Sequence, residues 1–409
     1  MKISSFSVVL CAFFACASPC GAEDAGLTLP GLLAEVKAAN PDLAEARRKL
    51  GLLEAEAEIS AAYPNPEVEI QKSVPGDASF YEVKATQRMP LTRRGATARE
   101  AALSQLEAAK RELEALETFT LSAARKAWYS LRIARERRRF EETNIKFSMD
   151  ILNKIEMRFQ TGEAGNADLA RAKVEASRSG YRLHESDARI SAAAADLNRF
   201  LGRRPDMPVT ISEVEQLRFS PDGGAGKTLD AYTAFALRSR TEPQALLLRS
   251  KAAELSLKLE KNRRLPDPIL GFIRGSEADE GYSRFFFGLE LPLWYNNSGG
   301  VKKALAEKDV LAFEQQRLAL QIRGEVYSAW LELDLASKRL ASARETIFLL
   351  NDLRRSASQD YLSGKTSLTA FYETNRVFLE ENINYLDALN EYYDKTAQMD
   401  AAINNREAK

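Results

Sequence analysis

A chain of 409 residues with 58 Lys+Arg against 58 Asp+Glu has no net charge, so its overall electrostatics draw it neither to nucleic acid nor to an anionic surface. All three cysteines (Cys11, Cys16, Cys20) lie at the extreme N-terminus, and His184 is the one histidine. Beyond that N-terminus this excludes a disulfide scaffold, a Cys-ligated metal centre, a cysteine nucleophile, a Ser-His-Asp relay and a multi-His metal site.

The first residues read as an export signal over 1–22. Lys2 supplies a positive start, an apolar run extends from Phe6 to Ala17, and Cys20-Gly21-Ala22 closes it in a small-x-small pattern. The run is too short to span a bilayer as a helix. Neither Cys16 nor Cys20 has leucine three residues before it, which argues against a lipid anchor without deciding the point. No later stretch has the apolar length of a transmembrane helix, so a membrane role requires β-strands.

The remainder is one unit written twice. Asn40-Pro41 recurs as Glu242-Pro243, Tyr63-Pro64-Asn65-Pro66 as Leu265-Pro266-Asp267-Pro268, and Met89-Pro90-Leu91 as Leu291-Pro292-Leu293. Trp128 matches Trp330, Phe159 matches Tyr361 and Gly162 matches Gly364, every pair 202 residues apart. The expected division is a first repeat over 23–204, a linker over 205–228 and a second repeat over 229–409.

Within each repeat a helix comes first. A β-hairpin follows, at about 66–90 and about 268–292. In it Val68 and Ile70, then Tyr81, Val83 and Ala85, alternate with charged residues, as do Phe285, Phe287 and Leu289 with their neighbours. Pro66, Pro90, Pro268 and Pro292 mark the strand–helix corners. The strands are near the length that crosses a bilayer when tilted, and one apolar and one polar face suit a barrel with a wet interior. Trp294 and Tyr295 are placed to anchor at a headgroup layer. Four strands close no barrel and open edges are not tolerated in lipid, so closure requires several copies in a cyclic, head-to-tail arrangement.

After each strand pair comes a tract without proline, from Pro90 to Pro205 and from Pro292 to the end. Such tracts are free to be long helices. Helical hairpins are expected over about 95–201 and about 300–403, turning at Gly162–Gly165 and at Gly364. Apolar seams at alternating three- and four-residue steps start at Ala102, Leu106 and Ala109 in the first and at Ala319, Ile322 and Val326 in the second.

Taken together, signal, duplication, long hairpins and proline-flanked strands resemble the TolC family of outer-membrane efflux proteins over essentially the whole mature chain. The matching motifs are Phe159-Gln-Thr-Gly162 with Asp168-Leu169, and Tyr361-Leu-Ser-Gly364 with Leu368 and Phe371. The resemblance implies a mainly α fold with a small β part. It also implies a homotrimer, with a 12-stranded outer-membrane barrel and a periplasmic α-helical barrel, whose tip meets a periplasmic adaptor and an inner-membrane resistance–nodulation–division pump. The implied location is the outer membrane of a Gram-negative bacterium.

Gln87–Gly95 and Leu291–Gly300 look most like the cobalt–zinc–cadmium resistance branch, which makes heavy-metal cations the expected cargo. The family's constriction carries acids six and nine positions after the tip glycine. Here those positions hold Ala370 and Glu373, and in the first repeat Asp168 and Arg171. Glu373 and Asp168 are therefore the expected gate residues, with Lys365 and Arg171 as candidate ion-pair partners. Drug export and type I protein secretion use the same fold, and a periplasmic adaptor is the competing class. Gly223-Gly-Ala-Gly-Lys-Thr228 lacks the first glycine of a phosphate-binding loop, where Pro221 stands, so neither enzyme nor cofactor is expected.

Overall fold

The computed structural model describes residues 26–73, 80–90, 92–212, 228–277 and 280–404, with the backbone alone at Leu362. The expected signal peptide, the middle of the first expected β-hairpin (74–79) and the linker residues 213–227 lie outside these. In chain order the elements are α1 (Leu29–Ala39), α2 (Pro41–Ala61), β1 (Glu67–Lys72), β2 (Phe80–Arg88), α3 (Arg94–Gln160) and α4 (Asn166–Phe200). Then follow α5 (Leu229–Ser239), α6 (Glu242–Asn262), β3 (Pro268–Glu277), β4 (Glu280–Leu289), α7 (Ser298–Leu362) and α8 (Leu368–Ala402).

The proline-free tracts form helices of 67 and 65 residues, α3 and α7. At about 1.5 Å per residue each is on the order of 100 Å long. Each returns through a short turn into a 35-residue helix, and α8 begins and ends 202 residues after α4. That offset does not reach the first helices. α5 follows α1 by 200 residues and α6 follows α2 by 201: Asn40 alone joins α1 to α2 whereas Arg240 and Thr241 join α5 to α6, and α6 begins one residue before Pro243 whereas Pro41 opens α2. The two junctions are also held differently. Asn40 caps α2 by accepting from the Leu43 N–H at 3.1 Å and donates to the Phe200 carbonyl at 3.0 Å. Arg240, 4% exposed, is paired with Glu242 at 2.7 Å and with Glu325 of α7 at 2.5 Å.

The seam expected in α7 is buried, with Ile322, Val326, Ala329, Leu333, Ala336 and Leu340 all in the core. The seam expected in α3 is displaced. Leu106 of the expected seam is buried, but so are Ala101, Ser104, Ala108, Ala115, Trp128 and Leu131 outside it, while Leu116 of the seam is exposed. The reason is crowding: α3 packs against α2, α4, α6 and α8, so no single stripe serves all its neighbours. The two halves are joined along α3 and α8. Arg125 meets Asp400 at 3.0 Å, Lys126 meets Asp394 at 2.9 Å, and Tyr129 stacks on Tyr393 with ring centroids 4.1 Å apart.

The strands form one antiparallel sheet in the order β1-β2-β3-β4, so the hairpins of the two halves are zipped together through β2 and β3. In that register Lys84 lies opposite Ile273 and Ala85 opposite Phe272. The outer edges of β1 and β4 have no partner strand among the described residues. Pro66 and Pro90 flank the first strand pair, Pro268 opens β3, and Pro292 follows β4, positions where a missing N–H costs no ladder bond. On β3 a Cβ at Gly271 would stand 2.1 Å from the Phe286 ring, so only glycine lets that ring lie across the strand.

Candidate functional site

Two regions of the fold carry chemistry, the sheet and the far end of the helical hairpins. The register puts Val68, Ile70, Val83, Ala85, Leu270, Phe272, Phe285 and Phe287 on one face. Phe285 is 85% exposed, and Val68, Ile70 and Phe287 are also exposed. The opposite face carries Glu67, Glu69, Glu82, Lys84, Arg88 and Arg284. There Tyr282 donates to Glu82 at 2.8 Å and Lys84 meets Glu69 at 3.5 Å. Arg274, opposite Val83, interrupts the first face, and Ile269, Ile273 and Phe286 lie on the second, so one wall is mainly apolar and the other carries most of the charges.

At the other end both turns are made the same way. Gly162 (φ 79°) and Gly364 (φ 75°) occupy the left-handed region, and their N–H groups donate to the Phe159 and Tyr361 carbonyls at 3.1 and 3.0 Å. Gly165 sits just before α4 with ordinary backbone angles, while Ser367 caps α8 by accepting from the Ala370 N–H at 3.2 Å. Open space surrounds Gly364, so Gly364→Ala should cost only the backbone strain, about 1 kcal/mol. A urea melt read at the tip should show that loss; no loss would mean that the turn relaxes to negative φ.

The structure places Asp168 on the first turn of α4, Arg171 and Glu373 on the second turns of α4 and α8, and Lys365 in the turn before α8, and the partners it gives Glu373, Arg171 and Lys365 are not those expected. Glu373 binds Arg376 of its own helix at 2.5 Å, and Arg376 also holds Glu380 at 2.7 Å. The Arg376 hydrogen bond holds the Glu373 carboxyl below the usual carboxylate range. Lys365, across the turn, is 3.9 Å from Asp360. Arg171 donates to the Thr369 hydroxyl, tying α4 to α8. Neither cation reaches Glu373, because Arg376 lies one turn away on the same helical face. Asp168 lies near Tyr361 and Tyr372, and its charge adds to the effect of burial in raising both hydroxyls.

Behind these charges is an aromatic core. Phe371 stacks on Tyr361 (5.6 Å between centroids) and approaches Phe147 (6.1 Å), among Ile151, Ile155 and Leu368. Arg354 was not singled out from the sequence. Its guanidinium lies 4.1 Å from the Phe147 ring centre and 4.3 Å from that of Phe378. Its Nε and one terminal nitrogen are buried without a hydrogen-bond partner, and burial lowers its pKa to about 10. The signal was available: continuing the α7 seam past Leu350 lands on Arg354, Ala357 and Tyr361.

A second group missed from sequence is a buried polar seam between α3 and α4. Glu141 and Asn144 are buried, Arg182 lies 3.5 Å from Glu141, and Ser148 and Ser179 share a hydrogen bond of 2.9 Å. Burial raises the Glu141 carboxyl, and the Arg182 charge offsets only part of this. A raised carboxyl pKa destabilises the fold where the group is ionised. That penalty is absent below the ordinary carboxylate range and complete above the folded pKa. The melting temperature of Glu141→Gln should therefore gain on the parent chain as pH rises from about 4 to about 8. A gap that does not widen with pH would mean that Glu141 carries no such penalty.

Among the described residues no helix is long and apolar enough to cross a membrane, and no group of three or more His, Cys, Asp or Glu is placed to hold a metal ion. No protein-family model and no curated protein matches the chain. Solved structures do. CusC, whose crystal structures are described in terms of folding and transmembrane channel formation, superposes with a TM-score of 0.77 at 15% identity, covering 92% of this chain and 91% of that one. The outer membrane channel CmeC of Campylobacter jejuni gives 0.75 at 14% identity (92% and 85% covered). The open-state outer membrane channel MtrE of Neisseria gonorrhoeae gives 0.74 at 16% identity (93% and 89% covered). The chain thus has the fold of the TolC-family outer-membrane channels.

Proposed function

We propose that three copies of this chain form an outer-membrane channel, a passive exit duct for substrates delivered by a periplasmic adaptor and an inner-membrane resistance–nodulation–division pump. The observation that carries this reading is the four-stranded sheet: two open edges, one exposed apolar face and one charged face, set on helices on the order of 100 Å long. Open edges are not tolerated in lipid, and three sheets of four strands close a barrel of twelve. The location is the outer membrane of a Gram-negative cell, with the helices extending into the periplasm. The chain divides into two repeats, 23–204 and 229–409, joined by the linker 205–228.

In this reading the tip turns at Gly162, Gly165 and Gly364 face the adaptor, and Glu373, Asp168, Arg171 and Lys365 line the aperture. Glu373 and Glu380 share Arg376, which leaves one net negative charge at that site in each chain. Three such sites make a weakly acidic ring that favours cations, and heavy-metal cations are the proposed cargo. Opening is a rearrangement of the tip helices driven by adaptor contacts made better in one state than the other. Energy comes from the pump, and this chain carries out no catalysis.

Planar-bilayer conductance of the purified protein, parent against Glu373→Ala, tests the reading. A small cation-selective conductance that rises or loses selectivity in the variant is expected. Conductance indifferent to the substitution removes Glu373 from the gate, and a folded oligomer that does not conduct removes the channel.

A further inference from the structure

The corners joining strands to helices gather at one level. The Met89 N–H donates to the Pro268 carbonyl at 2.8 Å, Gln87 donates to the Pro64 carbonyl at 2.9 Å, Arg94 meets Asp267 at 2.9 Å, and Asn297 donates to the Glu260 carbonyl at 2.9 Å. Around this level Tyr63, Leu265, Leu291, Leu293 and Trp294 are exposed, Trp294 by 98%. The exposed apolar line of β4 runs on at the same two-residue step, through Phe285, Phe287 and Leu289 into Leu291 and Leu293. Beside them stand four exposed cations, Arg93, Lys261, Arg264 and Lys302. Among the described residues none of the four has a carboxylate at ion-pair distance, whereas the neighbouring Arg88, Arg94 and Arg263 each have one.

We propose that this corner is a collar for anionic phospholipid headgroups in the periplasm-facing leaflet, a proposal that rests on the barrel reading above. An indole exposed beside leucines and unpaired cations is poorly served by water, and a bilayer surface relieves both features at once. The apolar side chains enter the acyl boundary, the ring sits at the headgroup level, and the cations meet lipid phosphates. Charge complementarity selects anionic lipid over zwitterionic lipid, since a negative surface attracts each of these cations. Tyr295 is engaged otherwise: its hydroxyl accepts from the Gly299 and Gly300 N–H groups at 3.1 and 3.3 Å and so caps α7.

The test reconstitutes the full oligomer in vesicles of equal phosphatidylglycerol and phosphatidylcholine, re-extracts it gently and counts retained lipid by native mass spectrometry. The parent should retain phosphatidylglycerol several-fold over phosphatidylcholine. The combined variant Arg93→Gln, Lys261→Gln, Arg264→Gln, Lys302→Gln should retain the two equally, whereas Lys173→Gln with Arg344→Gln, on α4 and α7, should keep the preference. Trp294→Ala should reduce both lipids and leave their ratio unchanged. A parent that inserts and conducts without preference overturns the collar alone, as does a quadruple variant that keeps the preference. A parent that never enters the vesicles overturns the barrel reading, and the collar with it.

Discussion

Leu331→Glu combined with Leu335→Glu is expected to convert the proposed trimer into single chains. In the isolated chain the long hairpins lie in the order α4, α3, α8, α7, with α5 and α6 also packed on α7, so that α4 and α7 form the two flanks. The flank of α7 carries an exposed apolar stripe, Phe313, Leu320, Tyr327, Leu331 and Leu335, at steps of seven, seven, four and four residues; Leu335 is 64% exposed. On α4 Val174 and Tyr181 are exposed at the same seven-residue step. Closing a ring sets one flank against the other. Each leucine covered there contributes about 2 kcal/mol, and an unpaired carboxylate in its place costs several more. Light scattering on the detergent-solubilised protein should report monomer mass for the double variant and the parent's mass for Arg344→Glu, an exposed control on the same helix. Parent-like mass for the double variant would mean that the stripe is not the seam between copies.

The second large effect is local. Phe371 is 1% exposed and touches the rings of Tyr361, Phe147 and Tyr372. Truncation to alanine should cost about 3–5 kcal/mol. That cluster is separate from the clusters around Ile322 and Trp128, so the loss should open the tip without unfolding the rest. Amide-exchange protection in 147–155 and 361–371 should fall by a factor of about 100 or more, while the segments around Trp128 and Tyr393 keep theirs. The same variant should conduct more in a bilayer. Loss of protection along the whole chain would show that the tip core is part of one cooperative unit.

Patterns that act over a few residues are legible in the order of residues. The absence of proline announces α3 and α7, glycine announces the left-handed positions at Gly162 and Gly364, and alternation announces β1, β2 and β4. Each is a local constraint: proline removes a donor and clashes with the preceding turn, left-handed backbone excludes most side chains, and successive side chains on a strand point to opposite faces. Contacts between distant residues are not legible in this way. Glu373 was expected to meet Lys365 or Arg171, and Arg376 holds it instead. The polar seam around Glu141 breaks an apolar pattern that continues in the second half, where Ala343 and Leu350 stand at the positions of Glu141 and Ser148.

Element type, length and turn position follow from the amino-acid sequence because backbone sterics and hydrophobic period are decided within one or two helical turns. Three things belong to the tertiary structure alone: the joining of the two hairpins into one sheet through β2 and β3, the displaced seam of α3, and the burial of Arg354 between Phe147 and Phe378. Each depends on which of several chemically acceptable faces meets which neighbour. That choice is settled by packing the whole chain at once, since every helix face that one contact buries is withdrawn from all the others.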